Sequence, residues 1–426
     1  MPPSCRGTRT SNNRTRYVRP PLGYRQVDRR GVPIVWKLVG NCYGDETAPR
    51  VWFESLLPVL LEILFVQSDA DPCFLFKVYP DGSRFDMVLY VDDILACDDA
   101  GAQADADFDA VQKVFKFTIR DEAVHFLNMN VSVLNEWTVK LSMEAYLLKM
   151  ADTYVPDWRA WSLMDRPATE QLQVDYDEAH GRRDNVLSAE LLTRYKGKVG
   201  ALSYAAPTVR ADVASRLSRA QTFATAQLEE HVDRCIVYLA QTADTGLTFD
   251  GSLSGADELW AASDSDWAVG HSTTGFAIYW GGAAVLHSSK RQPCIATSST
   301  EAEIIAASSC SLALVFARRI ARDLGFYPDT VSRLDVDNTG AVELSRDRKS
   351  CHRSRHVDRR YFKVRELAAE GLLRVEHVPT ADNSADVLTK VLDREAHAKH
   401  VRTMMNLDDK YSTAPKELRG KMETQT

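Results

Sequence analysis

The chain has 426 residues, 45% hydrophobic and 26% charged, and this ordinary globular composition excludes a wholly disordered protein. Its formal net charge of −7 excludes a broadly basic nucleic-acid coat, so any phosphate-binding surface must be local. The eight cysteines lie far apart without a CxxC pair, which argues against a zinc ribbon or a disulfide framework.

The first part of the chain predicts a basic start followed by a globular stretch. Residues 1–31 carry eight arginines and a single acid, a composition that favours disorder. Residues 32–158 contain an apolar segment with helical character, Trp52–Phe65. The Pro80–Ser83 turn lies between two β-rich runs and predicts a hairpin. No apolar run in the sequence predicts a membrane span, and no membrane partner is expected.

The middle of the chain, residues 159–255, predicts a mostly helical region. The clearest helical patterns lie at Val213–Phe223 and Ala226–Ala240. The segment Thr245–Gly255 is rich in Gly, Ser and Thr, which predicts a domain boundary.

The third block, residues 256–392, predicts an α/β fold in the order βββαβαβα, a mixed five-stranded sheet flanked by helices. The predicted strands are Glu258–Asp264, Gly275–Trp280, Ala283–Ser288, Leu334–Asp337 and Leu372–His377. A long helix is predicted to begin near Thr300 with a capping box and to end near Gly325. A last helix is expected from Asn383, and residues 393–426 are expected to form a loose, uncapped tail.

Four acids of this block lie at predicted strand ends and helix starts, where carboxylates can converge at one sheet edge. They are Asp264, Glu303, Asp337 and Asp386. Hard divalent cations prefer such oxygen ligands, and two of them can clamp a phosphodiester. His377 is placed to shuttle a proton. Taken singly, such acids are more often caps or solvated groups, and Asp266 and Glu301 are alternatives two residues away.

Ordered motifs run through the same block. They are Ser263-Asp264-Ser265-Asp266-Trp267-Ala268, Ser272-Thr273-Thr274-Gly275, Ser288-Ser289-Lys290-Arg291-Gln292-Pro293, Ser298-Ser299-Thr300-Glu301-Ala302-Glu303, Asp337-Asn338, Arg355-His356-Val357-Asp358-Arg359-Arg360-Tyr361, Glu376-His377-Val378-Pro379-Thr380 and Ala385-Asp386-Val387-Leu388-Thr389-Lys390. This series resembles the ribonuclease H domain of copia-type LTR retrotransposon Pol polyproteins.

The resemblance implies that the four acids bind two Mg²⁺ (or Mn²⁺) ions, with His377 assisting. The implied reaction is hydrolysis of the RNA strand of an RNA–DNA hybrid. This chain departs from the family between Trp267 and Ser272, where Ala268–His271 replaces a longer loop that ends in two arginines. This departure weakens the expectation that the domain binds an RNA–DNA hybrid more than the expectation that it binds metal.

The similarity continues upstream, where Tyr90-Val91-Asp92-Asp93-Ile94-Leu95 resembles the catalytic hairpin of a reverse transcriptase. It implies a partial reverse-transcriptase palm over residues 32–158, with Asp92 and Asp93 as catalytic metal ligands. Two features argue against autonomous DNA synthesis. The stretch before Tyr17 holds no acid to supply a third carboxylate, and Asp45 and Glu46 stand where the family has a cation.

The stretch Arg346–Arg365 carries nine Lys and Arg residues. Its candidate nucleic-acid contacts are Arg353, Arg355, Arg359 and Arg360. On charge alone it could equally be a solvated helix face, but beside a nuclease centre phosphate contacts are favoured. His352 and His356 would need further convergent ligands to form a zinc site.

The leading hypothesis is a truncated Pol fragment: partial reverse transcriptase, helical connection and a ribonuclease H domain that retains its metal ligands. One alternative is a catalytically silent remnant that only binds nucleic acid. Another is a polymerase subunit completed in trans by a further Pol chain. The expected partners are RNA–DNA hybrid, RNA or DNA, and the expected location is the cytoplasm, the nucleus or a virus-like particle.

Overall fold

A computed structural model describes residues 17–38, 47–118, 125–181, 187–213, 224–255, 258–267, 271–326, 330–346 and 363–407. The chain divides into two compact units, residues 1–122 and 123–426. The predicted boundary at Thr245–Gly255 contains a strand, Leu247–Asp250, which pairs with Thr138–Ser142. That pairing ties the segment into the second unit.

The described residues of the first unit form two antiparallel sheets, one of two strands and a larger one, with two α-helices. Its elements are β1 Tyr17–Val18, β2 Trp36–Lys37, α1 Ala48–Glu62, β3 Val66–Gln67, β4 Phe74–Val78, β5 Arg84–Tyr90, β6 Asp93–Asp98 and α2 Ala102–Val114. Strands β1 and β2 form the smaller sheet, and strands β3 to β6 form a four-stranded sheet in sequential order. In β5, the alternate residues Phe85, Met87 and Leu89 are buried, and they pack with residues of α1 and α2. The hairpin predicted at Pro80–Ser83 is confirmed by the antiparallel pairing of β4 with β5.

The second unit holds two sheets and most of the helices that the structure describes. Its elements are β7 His125–Phe126, β8 Met129–Val133, β9 Thr138–Ser142, α3 Glu144–Tyr154, α4 Gln171–Gly181, α5 Ala189–Ala205, α6 Ala226–Gln241, β10 Leu247–Asp250, β11 Trp260–Asp266, β12 Thr273–Trp280, β13 Ala283–Arg291, α7 Ser299–Asp323, β14 Ser332–Val336, α8 Thr339–Arg346, α9 Lys363–Ala369, β15 Leu373–His377 and α10 Arg394–Met405. The first of its sheets is antiparallel, in the order β10-β9-β8-β7. The helix predicted at Ala226–Ala240 is confirmed as α6, whereas residues 214–223 lie outside the described residues.

The larger sheet has five strands in the order β13-β12-β11-β14-β15. Strand β12 is antiparallel to β11 and to β13, whereas β14 runs parallel to β11 and to β15. The predicted mixed five-stranded sheet flanked by helices is confirmed, and it fits the ribonuclease H-like fold that the resemblance implied.

Both faces of this sheet are covered, because successive residues of a strand point to opposite sides. Ala261 packs in a core with residues of α7, α8 and α9. Its neighbour Ala262 packs in a second core with residues of α3, α5, α6 and α10. Helix α7 is long and apolar enough to cross a membrane by composition, but most of its apolar window is buried, as is typical of a core helix.

The C-terminal region corrects two predictions. In place of a helix from Asn383, Ser384–Leu388 forms a 3₁₀ turn. The expected loose tail is wrong for residues 393–407, because Asp393 caps α10 by accepting a hydrogen bond from the Ala396 backbone N–H at 2.9 Å. Val401, Met404 and Met405 are buried in this helix. The many charged residues between and before them obscure the helical spacing of these apolar residues in the sequence.

Candidate metal centre

Three carboxylates converge at one edge of the five-stranded sheet. Asp264 lies in β11, two residues before the strand ends, and Asp337 directly follows β14. Because β11 and β14 are parallel neighbours, with Ser263 paired to Val336, both side chains emerge at the same edge. Glu303 approaches from the beginning of α7, and one oxygen from each of the three acids lies within 4.8 Å of the others.

The alternatives Asp266 and Glu301 serve the local structure instead. Glu301 accepts hydrogen bonds from the backbone N–H and the hydroxyl of Thr297, both at 2.7 Å. Ser298 caps α7 by accepting from the Glu301 N–H, so the helix begins at Ser299 and its capping residue lies two positions before the predicted Thr300. Asp266 accepts a hydrogen bond from the Thr273 N–H where β11 and β12 meet.

The fourth predicted acid, Asp386, lies in the 3₁₀ turn Ser384–Leu388. Asn383, just before this turn, donates from Nδ2 to the Ser263 carbonyl at 3.0 Å. The Tyr279 hydroxyl of β12 donates to the Ser384 hydroxyl at 2.7 Å. The first bond fixes the turn against the residue that precedes Asp264, and the second fixes it against β12.

Glycine at position 275 permits this close approach. Gly275 pairs with Asp264 in the sheet. A Cβ at this position would lie 2.6 Å from the Thr389 methyl and 2.8 Å from the Leu388 Cβ. Only a residue without a side chain lets the end of the turn lie this close to β12.

Two residues at the end of the turn contact the acids directly. The Thr389 hydroxyl donates to Oδ2 of Asp264. The Lys390 Nζ donates to Oδ1 of Asp264 at 3.1 Å and to Oδ1 of Asp386 at 2.9 Å. Neither residue was a predicted site residue, although both belong to the quoted Ala385–Lys390 motif. A hydroxyl residue three positions and a cation four positions after the predicted metal ligand Asp386 were the available signal.

Burial of these acids alters their electrostatics. Burial and the nearby charges of Asp264 and Asp337 raise the pKa of Glu303 to about 9. Burial and Asp264 raise the pKa of Asp386 to about 7, and burial also raises the pKa of Asp264 against the opposing effect of Lys390. Although burial lowers the pKa of Lys390, the two aspartates raise it further, so this side chain stays charged.

The donor set fits a divalent cation. Oε2 of Glu303 is buried and has no hydrogen-bond partner among the described residues, and Oε1 accepts only a long bond of 3.4 Å from the Ser265 N–H. A buried carboxylate oxygen without a donor is costly unless a cation or a proton compensates it. Asp264, Glu303 and Asp337 are the residues that would hold the ion, since carboxylate oxygens are the ligands that Mg²⁺ prefers.

The remaining predicted site residues lie elsewhere or beyond description. His377 is the last residue of β15 and pairs with Val336, which directly precedes Asp337. The His377 side chain is exposed. Arg353, Arg355, Arg359 and Arg360 lie outside the described residues, as do 39–46 and 268–270. Two flanking arginines of the basic stretch bond backbone carbonyls: Arg346 bonds Val375 at 2.7 Å, and Arg365 bonds Leu344.

Asp92 and Asp93 of the first unit lie at the exposed end of a hairpin. Tyr90 pairs with Asp93 across a two-residue turn of Val91 and Asp92, which confirms the predicted hairpin. Val91 has a φ of 52°, a left-handed conformation that is strained for a β-branched residue. Among the described residues, the carboxylates grouped at metal-binding distance are those of the second unit.

Comparison with known proteins gives a consistent set of relatives. The chain is 28% identical over 394 residues to the retrovirus-related Pol polyprotein from transposon TNT 1-94 of Nicotiana tabacum. It is 31% and 30% identical over 392 residues to those from transposons RE1 and RE2 of Arabidopsis thaliana. Each similarity covers 89% of this chain. No protein-family model matches.

The chain spans only about a quarter of each of these relatives, between 25% and 28% of their length. The similarity nevertheless includes 89% of this chain. The chain is therefore a homologue of the retrovirus-related Pol polyproteins from transposons, which confirms the resemblance that its motifs indicated.

Proposed function

We propose that the second unit is a metal-dependent nuclease of the ribonuclease H type, which hydrolyses the RNA strand of RNA–DNA hybrids. The observation that carries this proposal is the buried group of Asp264, Glu303 and Asp337 at the edge of the five-stranded sheet. Homology to the Pol polyproteins supports it, because Pol polyproteins imply enzymatic domains and nucleic-acid partners in general.

The chain's own residues would hold and orient Mg²⁺ or Mn²⁺ at this edge. A bound divalent ion supplies positive charge that lowers the pKa of water and stabilises charge developing on a phosphate. Asp264 is fixed by donors on both oxygens, from Lys390 and Thr389, so its ligand geometry is set before metal binds. Water attacks phosphorus and the 3′ oxygen departs with a proton, which leaves 3′-hydroxyl and 5′-phosphate ends.

His377 is the proposed proton shuttle. His377 pairs with Val336, the residue before Asp337, and its exposed ring can exchange protons with water. Because water can partly replace such a group, His377→Ala should slow cleavage less than removal of a carboxylate. Phosphate contacts from Arg353, Arg355, Arg359 and Arg360 stay part of the proposal.

The first unit supports a second candidate, a reverse-transcriptase palm. The observation that favours it is the β5–β6 hairpin that presents Asp92 and Asp93 at its exposed end. Two-metal nucleotide transfer needs a further carboxylate beside such a pair, and the described residues group none with Asp92 and Asp93 at metal-binding distance. We therefore expect no primer extension on an RNA template with Mg²⁺ or Mn²⁺. Extension that disappears in the Asp92→Asn, Asp93→Asn variant would contradict this expectation.

The nuclease is tested with a hybrid whose RNA strand carries a 5′ label. The full chain should cleave that strand in Mg²⁺ or Mn²⁺, leave 3′-hydroxyl ends and stop in chelator. Ca²⁺ should support binding but poor turnover, because its larger coordination shell does not enforce octahedral geometry. Asp337→Asn should abolish cleavage and spare the fold, since the substitution is nearly isosteric and removes only the charge.

Asp266→Asn and Glu301→Gln are the matched controls, because each acid lies two residues from a proposed ligand and serves the local backbone. Both should retain cleavage. Loss of cleavage in these controls, with full activity in Asp337→Asn, would contradict the assignment of the acids. Hybrid binding without cleavage by the wild-type chain would favour the silent remnant.

A further inference from the structure

We propose that the ammonium group of Lys390 occupies the second cation position of the acid site, so that the substrate-free protein binds one divalent ion and not two. This inference rests on the proposed function and concerns how many ions the same site takes. It differs from the two-ion site that the resemblance implied for the four acids.

The four acids do not share one arrangement. In the described part of the chain, Asp264, Glu303 and Asp337 lie at ligand spacing of one another. Asp386 instead shares Lys390 with Asp264, through Oδ1 to Nζ distances of 2.9 and 3.1 Å. Asp264 therefore stands between two cation positions, one formed by three carboxylates and the other filled by an ammonium group.

The observed distances fit an ammonium and exclude simultaneous occupancy by a metal. Charged N–H···O hydrogen bonds have lengths of about 2.7–2.9 Å, so the Nζ distance of 2.9 Å to Asp386 lies within this range and that of 3.1 Å to Asp264 is slightly longer. Mg²⁺ binds oxygen much closer, at about 2.0–2.1 Å. An ion between Asp264 and Asp386 would have to expel Nζ and draw both oxygens inward by almost 1 Å. A second divalent ion therefore competes with Lys390 for the same two oxygens.

Lys390 is held in place by the fold as well as by charge. Its backbone N–H donates to the Asp386 carbonyl at 2.9 Å, so the lysine and the aspartate lie on one turn of chain. The neighbouring Thr389 hydroxyl is bonded to Asp264 from the same turn. The lysine side chain is two-thirds buried beside the carboxylates, with a relative exposure of 33%.

The charge balance favours a single ion. With the four carboxylates ionised, one divalent ion and the Lys390 ammonium leave a single net negative charge at the site. Without the lysine, the same site with one ion retains two negative charges and attracts a second cation more strongly. Lys390 is thus a positioning residue that sets the metal count.

The test measures how many Mn²⁺ ions the full chain binds without nucleic acid. The electron paramagnetic resonance signal gives the concentration of free Mn²⁺, and the bound ions are the difference from the total added. Wild type should bind one ion. Lys390→Met should bind a second ion at least about tenfold more tightly than wild type does, as expected for loss of a unit charge in contact with two acids. Lys390→Arg keeps the charge and should stay at one ion.

Lys399→Met is the matched control, because Lys399 is an exposed lysine that pairs with Asp382. It should bind one ion, and circular dichroism with thermal melting shows that each variant is folded. Lys390→Gln repeats the test if the methionine variant does not fold.

Two tight sites in wild type, or one site in both folded neutral variants, would overturn the inference. Absence of hybrid cleavage by a wild-type chain that binds one Mn²⁺ would overturn the proposed function and leave the metal count standing. Wild type that binds no Mn²⁺ would overturn both.

Discussion

The two units each present aspartates that the sequence singles out, but in opposite environments. Asp264 of the second unit is completely buried, at 0% relative exposure, and lies against three other carboxylates and a lysine. Asp92 and Asp93 of the first unit are exposed at the end of a hairpin. Aspartate therefore lies in a buried cluster of charged groups in the second unit and at a solvated turn in the first.

The difference shows that burial, more than the motif, decides whether a carboxylate needs a cation or a proton to compensate its charge. Glu303 has an oxygen without a donor among the described residues, so a metal ion or a proton must satisfy it. Water can hydrate the carboxylates of the exposed Asp92 and Asp93, so burial does not oblige these residues to bind a cation.

The largest expected effect separates the two aspartate groups by activity. Asp264→Asn should reduce hybrid cleavage by more than about a hundredfold, because removal of even an outer-shell partner of a metal ligand costs about 10–100-fold. Asp92→Asn is the matched control and should leave cleavage unchanged. Equal losses in both variants, measured on the same labelled hybrid, would break the comparison.

The next effect concerns the turn that carries Asp386 and Lys390. Gly275→Ala should lower both cleavage and thermal stability, because its Cβ would lie 2.6 Å from the Thr389 methyl. Overpacking of this kind costs about 1–3 kcal/mol. Gly200→Ala in α5, where nothing lies within 4 Å, should be neutral or stabilising. Equal melting temperatures for the two variants would contradict the close approach of the turn.

These residues show how far the sequence could lead. Strand positions in the five-stranded sheet were predicted to within three residues, because short apolar runs between turn residues report local structure well. Lys390 was missed because its role depends on a contact with Asp264, 126 residues earlier in the chain. Helix α10 was missed because buried His397 and Val401 stand among charged residues.

The capping register of α7 illustrates another limit. Thr300 with Glu303 and Ser298 with Glu301 both satisfy the spacing of a capping box, so the sequence alone does not choose between them. The structure chooses Ser298 with Glu301, which leaves Glu303 to face Asp264 and Asp337.

A smaller effect concerns stability without metal. Glu303→Gln should raise the melting temperature of the metal-free chain at pH 8, because glutamine is neutral, whereas the glutamate is ionised in the unfolded chain at this pH and must take up a proton on folding. The pKa of Glu303 is raised from 4.5 to about 9, so the folded state binds more protons than the unfolded state between these values. Stability of the metal-free wild type should therefore fall as pH rises through this range.

Glu303→Gln should reduce that decline, so its advantage over wild type should grow with pH in thermal melts. Glu301→Gln should instead lower stability, since Glu301 accepts two hydrogen bonds from Thr297. A Glu303→Gln variant that is less stable than wild type at pH 8 would contradict the claim that the buried Glu303 carboxylate destabilises the metal-free chain.

The smallest expected effect lies in the first unit. Val91→Gly should stabilise the hairpin by up to about 1 kcal/mol, because glycine tolerates the left-handed φ of 52° that strains valine. Urea unfolding followed for the first unit would detect the shift. A destabilised Val91→Gly variant would show that the valine side chain contributes more than its backbone strain costs.

The most direct test of the central claim maps where a divalent ion binds. Fe²⁺ in place of Mg²⁺, with ascorbate and peroxide, generates radicals that cut the polypeptide beside the bound ion. Cuts in the full chain should fall near Asp264, Glu303 and Asp337, and excess Mg²⁺ should suppress them. Cuts confined to the Asp92–Asp93 hairpin, with none at the three buried acids, would contradict the account.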